Sequence, residues 1–115
     1  MKYMLLMYAD ESGVPQTPEA QQAVAPAWSA LTKEMQVAGV LLSSSGLSSV
    51  ANATTIRVRE GKTVTTDGPF AETHEQLGGY FLVDCKDLDE AIRWAEKIPT
   101  AKYGSVEVRP QWSQP

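Results

Sequence analysis

The segment KYMLLMYA, Lys2–Ala9, carries apolar or aromatic side chains at both odd and even positions. It is eight residues long and is followed at once by Asp10 and Glu11. That length and those flanks suit a strand better than a helix. Strand side chains alternate between two faces, so a strand apolar on both needs cover on both. The run YFLV, Tyr80–Val83, has the same character within a strand expected over Leu77–Cys85. Two strands of this kind, far apart in the chain, predict the centre of a sheet.

The remaining elements follow outward. ESGVPQTP, residues 11–18, is a loop broken by Gly13 and Pro15. Thr17 then suits an N-cap, with Pro18 at the first helical position and Glu19 at the positive helix end. Val24, Trp28, Leu31, Met35 and Ala38 recur at helical spacing and read as one core stripe. Pro26 lies within it and is expected to kink the helix or delay its start. Gly39 suits a C-cap. Val40–Ser44 reads as a strand, and Thr54–Arg59 with Thr63–Thr66 as a hairpin about Glu60-Gly61. Asp87 with Glu90 opens a second helix in the manner of a capping box. Leu88, Ala91, Ile92, Ala95 and Ile98 give that helix an apolar face, and Pro99 ends it. Ser105–Trp112 is a last strand, with Val106, Val108, Pro110 and Trp112 on one side.

The order β-α-β, hairpin, β-α-β predicts an α+β fold of ferredoxin-like type, as one domain over residues 1–115. Two helices cover one face of its four-stranded sheet. The other face then needs a second copy of itself, which predicts a homodimer.

The chain of 115 residues holds one cysteine and one histidine and has a net charge of −4. Cys85 alone forms no intrachain disulfide, and no Cys-x-x-Cys or His-x-x-x-His spacing is present, so neither metal nor cofactor is expected. With no cluster of Lys and Arg, neither nucleic acid nor an anionic membrane is the expected partner. MKYMLLMYADES is too short an apolar run for a secretory signal and no segment would span a bilayer, so a cytoplasmic location is expected.

The blocks KYMLLMYADE, AGVLLSSSGL, RVREGKTVTTDGPFAETHEQLGGYFLVD and DLDEAIRWAEKIP…GSVEVRP together resemble the YCII-related proteins of the DGPF type. The resemblance spans nearly the whole chain, and the order DGPF-x-E-T-x-E-Q-x-G-G is its most specific part. It implies ferredoxin-like subunits joined sheet to sheet as a dimeric α+β barrel. It also implies a frequent association with extracytoplasmic-function sigma factors, with no established chemistry. The wider group is thought to use a histidine of the first helix with a nearby aspartate. This chain has no histidine from Pro18 to Ala38, and Trp28 falls near that place. That mechanism therefore does not carry over.

The candidate chemistry lies in TTDGPFAETHEQLGG, Thr65–Gly79. Asp67-Gly68-Pro69 explains itself as a turn, yet the same turn would present Asp67 to a cleft as a general base or ligand contact. Phe70 is expected to pin the loop by burying its ring, leaving Asp67 facing a small polar cleft with Glu72 at its rim. THEQ, Thr73–Gln76, also reads as a capping box with Glu75 solvated. Histidine is a side chain suited to moving protons near neutral pH, so His74 is a weaker catalytic candidate, or an idle surface group. Gly78-Gly79 reads as a bulge or a close backbone approach. SSSG lacks the glycine spacing and lysine of a phosphate loop. Tyr8 and Asp10 end the first strand, where they would contact a small-molecule ligand or meet solvent. Two functions stay open: a small-molecule enzyme or binder with its cleft around Asp67 and Glu72, and a non-catalytic regulatory or interaction module.

Overall fold

The computed structural model describes residues 1–113. The strands are β1 (Lys2–Ala9), β2 (Leu41–Gly46), β3 (Thr54–Arg59), β4 (Lys62–Asp67), β5 (Gln76–Asp84) and β6 (Ser105–Pro110). Helix α1 spans Pro18–Val37 and α2 spans Leu88–Glu96, with 3-10 turns at Glu11–Gly13, Val50–Asn52 and Pro99–Lys102. Four strands form one antiparallel sheet in the order β2-β5-β1-β6, and β3-β4 form a separate ribbon. The fold is thus mixed α+β with an open sheet, and the single chain closes no barrel.

Register assigns the two faces. Tyr3 pairs Val83 and Leu5 pairs Phe81, and all four are buried beneath the helices with Leu31, Met35, Ala91, Ala95 and Ile98. Met4 pairs Leu82 and Leu6 pairs Tyr80 on the other face, where all four are only half-buried. Apolar side chains at both parities of β1 and β5 therefore serve two different surfaces. Burying each large core side chain stabilises the helix layer by about 1.5–3 kcal/mol.

The helix ends follow the sequence closely. Thr17 Oγ1 accepts from Ala20 N at 3.1 Å. Asp87 Oδ1 accepts from Glu90 N at 2.9 Å, and the Glu90 carboxylate returns to Lys86 N at 3.0 Å rather than to the cap residue itself. Gly39 lies one residue beyond the α1 cap at φ +74°, where a left-handed backbone suits glycine.

Of the two alternatives for Pro26, the delayed start is excluded, because α1 begins at Pro18 and contains Pro26. Gln22, whose carbonyl loses a partner to Pro26, is exposed, so water can satisfy it. The core stripe is also shorter than its spacing implied. Only Leu31 and Met35 are buried, Trp28 is half-buried, and Val24 and Ala38 are exposed. A helix of 20 residues spans about 30 Å, and its N-terminal half overhangs the sheet.

The β3-β4 ribbon turns at Glu60 and Gly61, both at positive φ, as a two-residue hairpin loop requires. Every β4 residue is exposed. The radius of gyration is 16.1 Å, against about 13 Å for a compact chain near this length.

Candidate functional site

The overhang of α1 leaves a cavity of about 570 Å³ between the helix, the sheet and the loop after β1. Gln21, Trp28 and Thr32 reach it from α1, and Met7 and Phe81 form its apolar floor. Trp28 stacks near-parallel on Phe81, with ring centroids 6.4 Å apart and planes inclined by 14°. That contact holds the indole against the sheet, and both residues line the cavity. Ser44 and Ser45 line the β2 side, and Gln16 and Gln76 lie toward the mouth.

Glu11 is the only charged residue in this lining. Its carboxylate accepts from Ser49 Oγ and from Val50 N, each at 2.8 Å. Its own amide donates to Gln76 Oε1 at 2.9 Å, and its carbonyl accepts from Gln16 Nε2 at 2.7 Å. One residue thus joins the loop after β1, the turn at Ser49-Val50 and the start of β5 at the rim. Hydrogen bonds to an ionised carboxylate are about twice as strong as neutral ones. Lysine, arginine and histidine are all missing from the lining.

The residues singled out in the sequence lie elsewhere. Asp67 is exposed at the end of β4, and Glu72 and His74 are exposed in the loop beyond it. None of the three lines this cavity. The expected burial of Phe70 is corrected, since its ring is 76% exposed in the single chain. The turn is held instead by hydrogen bonds to the Gly68 backbone. Gly68 N donates to Ala53 O at 2.7 Å, and Thr55 Oγ1 donates to Gly68 O at 2.8 Å. No helix starts at Thr73, whose hydroxyl donates to Glu75 O at 2.7 Å. Glu75 is half-buried and accepts from Ser105 Oγ at 2.8 Å. Asp10 caps the 3-10 turn, accepting from Ser12 Oγ and Ser12 N, and these bonds hold its carboxyl below the ordinary value. Tyr8 stands on the open sheet face, where its hydroxyl donates to Glu107 at 3.4 Å beside the Arg109–Glu107 ion pair.

The glycine pair has both of its expected features. Met7 pairs Gly79 and Tyr8 pairs Leu77, so Gly78 is the extra residue of a bulge. A Cβ on Gly79 would lie 2.6 Å from Ser45 O and 3.2 Å from Gly46 Cα. The absent side chain lets β2 approach β5 and shapes the cavity wall at Ser45 and Gly46.

Among the described residues no group of three or more His, Cys, Asp or Glu is placed to hold a metal ion. No helix there is long and apolar enough to cross a membrane.

The YCII-related domain matches residues 1–113. The chain belongs to that family. This YCII-related chain is 41% identical over 113 residues to an uncharacterised protein of Rhizobium meliloti (strain 1021), covering 96% of its own length and 91% of the relative's. Among solved structures it is similar to 5-chloro-2-hydroxyhydroquinone dehydrochlorinase from Burkholderia phenoliruptrix AC1100, in complex with 2,5-dihydroxybenzoquinone. That similarity has a TM-score of 0.49 at 11% identity, covering 100% of this chain and 96% of that one.

Sequence reasoning missed the cavity residues for identifiable reasons. Trp28 falls in the helical apolar stripe and reads as core, and Ser44 and Ser45 sit in a small-residue run that matches no motif. Glu11 partners residues 38 to 65 positions away in sequence. Its one local signal is an acidic residue just past the end of an interior strand.

Proposed function

We propose that this YCII-related protein is a homodimer of ferredoxin-like subunits, joined through the open sheet faces as a dimeric α+β barrel. Each subunit binds a small, uncharged or cationic polar molecule in the cavity beneath α1. The lining of that cavity carries the reading. It pairs an apolar aromatic floor with a few convergent hydroxyl and amide groups, the usual make-up of a small-ligand site. With one carboxylate and no cationic side chain, its field opposes an anionic ligand. The half-buried pairs Met4–Leu82 and Leu6–Tyr80 support the sheet-to-sheet dimer.

Binding is favoured over turnover by one observation. Both oxygens of Glu11 already accept structural hydrogen bonds, so the carboxylate that lines the cavity is not a free general base. This supports a ligand-responsive regulatory module above an enzyme. A catalytic role for Asp67, Glu72 or His74 would need a facing surface supplied by a second subunit.

The test is thermal unfolding with a panel of uncharged phenols and amides beside matched carboxylates. A saturable rise in Tm with an uncharged compound is expected, and none with its carboxylate analogue. Ser44→Phe fills the cavity from an exposed wall and should abolish the rise. A rise that survives this substitution, or one given only by the anions, would refute the site.

A further inference from the structure

Four residues lining the cavity beneath α1 are buried: Met7, Ala9, Phe81 and Thr100. Three are apolar, and Thr100, at 5% exposure, brings the one hydroxyl to that part of the wall. Its main chain is fixed. Thr100 O accepts from Gly104 N at 2.7 Å and from Tyr103 N at 3.2 Å. Gly104 packs so closely on the end of β1 that an added Cβ would lie 2.2 Å from Tyr8 O. The 3-10 turn is thus seated on the sheet and holds its threonine in one place. Other polar side chains of the lining are committed to the protein. Thr32 Oγ1 donates to Trp28 O at 2.9 Å, and Gln76 uses its oxygen on Glu11 N and its nitrogen on Thr73 O. Ser44 and Tyr103 also bring hydroxyls, but both residues are exposed and water reaches them. Thr100 Oγ1 makes no hydrogen bond among the described residues, yet no buried side-chain polar atom there is sealed without a partner. Its oxygen therefore opens on the cavity it lines. Buried hydroxyls are almost always hydrogen-bonded, so this one takes its partner from what enters the cavity.

We propose that Thr100 is the contact that orients the ligand in this cavity, an inference that rests on the cavity reading above. Its hydroxyl bonds an uncharged hydroxyl or carbonyl of the ligand, whose apolar body lies on Met7 and Phe81. A single polar contact in an otherwise apolar wall selects for that group, because a ligand lacking it leaves the hydroxyl unpaired. A charged group is disfavoured at the same point, since a buried charge needs a compensating partner and Thr100 offers none.

The experiment titrates wild type, Thr100→Val and Thr100→Ser with phenol and with toluene, which has the same ring and no hydroxyl. Amide chemical shifts give the Kd and the place of binding. Phenol should bind wild type and Thr100→Ser alike and Thr100→Val about tenfold more weakly, the loss of one hydrogen bond. Toluene should bind wild type and Thr100→Val with equal affinity. Without ligand, Thr100→Val should melt at or above the wild-type temperature, because no bond within the protein is lost. A clearly lower melting temperature would show that the hydroxyl is used by the fold and would overturn the proposal. Equal weakening of phenol and toluene in Thr100→Val would overturn it too, as an effect of shape. Phenol bound equally by wild type and Thr100→Val, with shifts at the cavity amides, would overturn the Thr100 contact and leave the cavity reading standing. A wild type that gives no saturable shift with either compound would overturn both.

Discussion

Gly79→Ala should be among the most damaging single-methyl changes in this protein, and Gly78→Ala should be nearly silent. The added Cβ at Gly79 would sit 2.6 Å from Ser45 O, 3.0 Å from the end of the Met7 side chain and 3.2 Å from Gly46 Cα. Met7 can swing aside, but the two β2 backbone atoms cannot yield without parting from β5. Overpacking of this kind costs about 1–3 kcal/mol, and an unyielding backbone places it near the top, at about 2–3 kcal/mol. With roughly 4 °C per kcal/mol for a chain near 100 residues, Tm should fall by about 8–12 °C. The same methyl at Gly78 meets only Met7 O, at 4.0 Å. Gly78→Ala should stay within about 1 kcal/mol of wild type, aided by the lower entropy of its unfolded chain. Paired urea or thermal melts at equal concentration measure the difference. Equal stability of the two variants, or a Gly79→Ala protein as stable as wild type, would show that β2 and β5 are not held at this separation.

Phe70→Ala should leave the stability of the monomeric chain within about 0.5 kcal/mol, as expected for an exposed side chain outside special contacts; a loss of several kcal/mol in a denaturant melt would mean the ring is buried after all. Cys85 is buried and its thiol is pushed up to about 11, mainly by that burial and then by Glu90. The native protein should therefore resist a thiol reagent at pH 8 and react with one equivalent when denatured. The sign for stability follows from the unfolded thiol ionising first, near 9.0: the contribution is complete below that pH and is lost as pH rises towards 11. Reaction of the native thiol at the unfolded rate would refute the burial.

Local chemistry was legible where one or two neighbouring residues decide the outcome. Thr17-Pro18 and Asp87 with Glu90 gave their helix starts because a cap is satisfied within three residues. Glu60-Gly61 gave its hairpin because both positions need positive φ. The alternation in β1 and β5 gave the sheet's two faces for the same reason of short range. Phe70 was misread because an apolar residue type does not say which surface covers it. Val24 was misread because a helical stripe records which side faces inward, and the sheet beneath ends before the helix does. The cavity was illegible because it is the space left by that overhang, and no single residue encodes it. Asp67 and Glu72 drew the reading because they sit in the most specific part of the chain, whereas the cavity takes only Gln76, Gly78 and their successors Tyr80 and Phe81 from that block.

The clamp at the foot of the ribbon bears on how such a chain changes through descent. Ala53 and Gly68 are already joined by one hydrogen bond of 2.7 Å, so the fourteen residues between them leave and return at a single point. Lengthening, shortening or exchanging that excursion alters no register in the four-stranded sheet, and each doubling of loop length adds only about 0.6 kcal/mol of closure entropy. The body and the excursion can therefore diversify at separate rates. Relatives are expected to differ most in length and composition between these two positions while keeping the body's strand pairing intact.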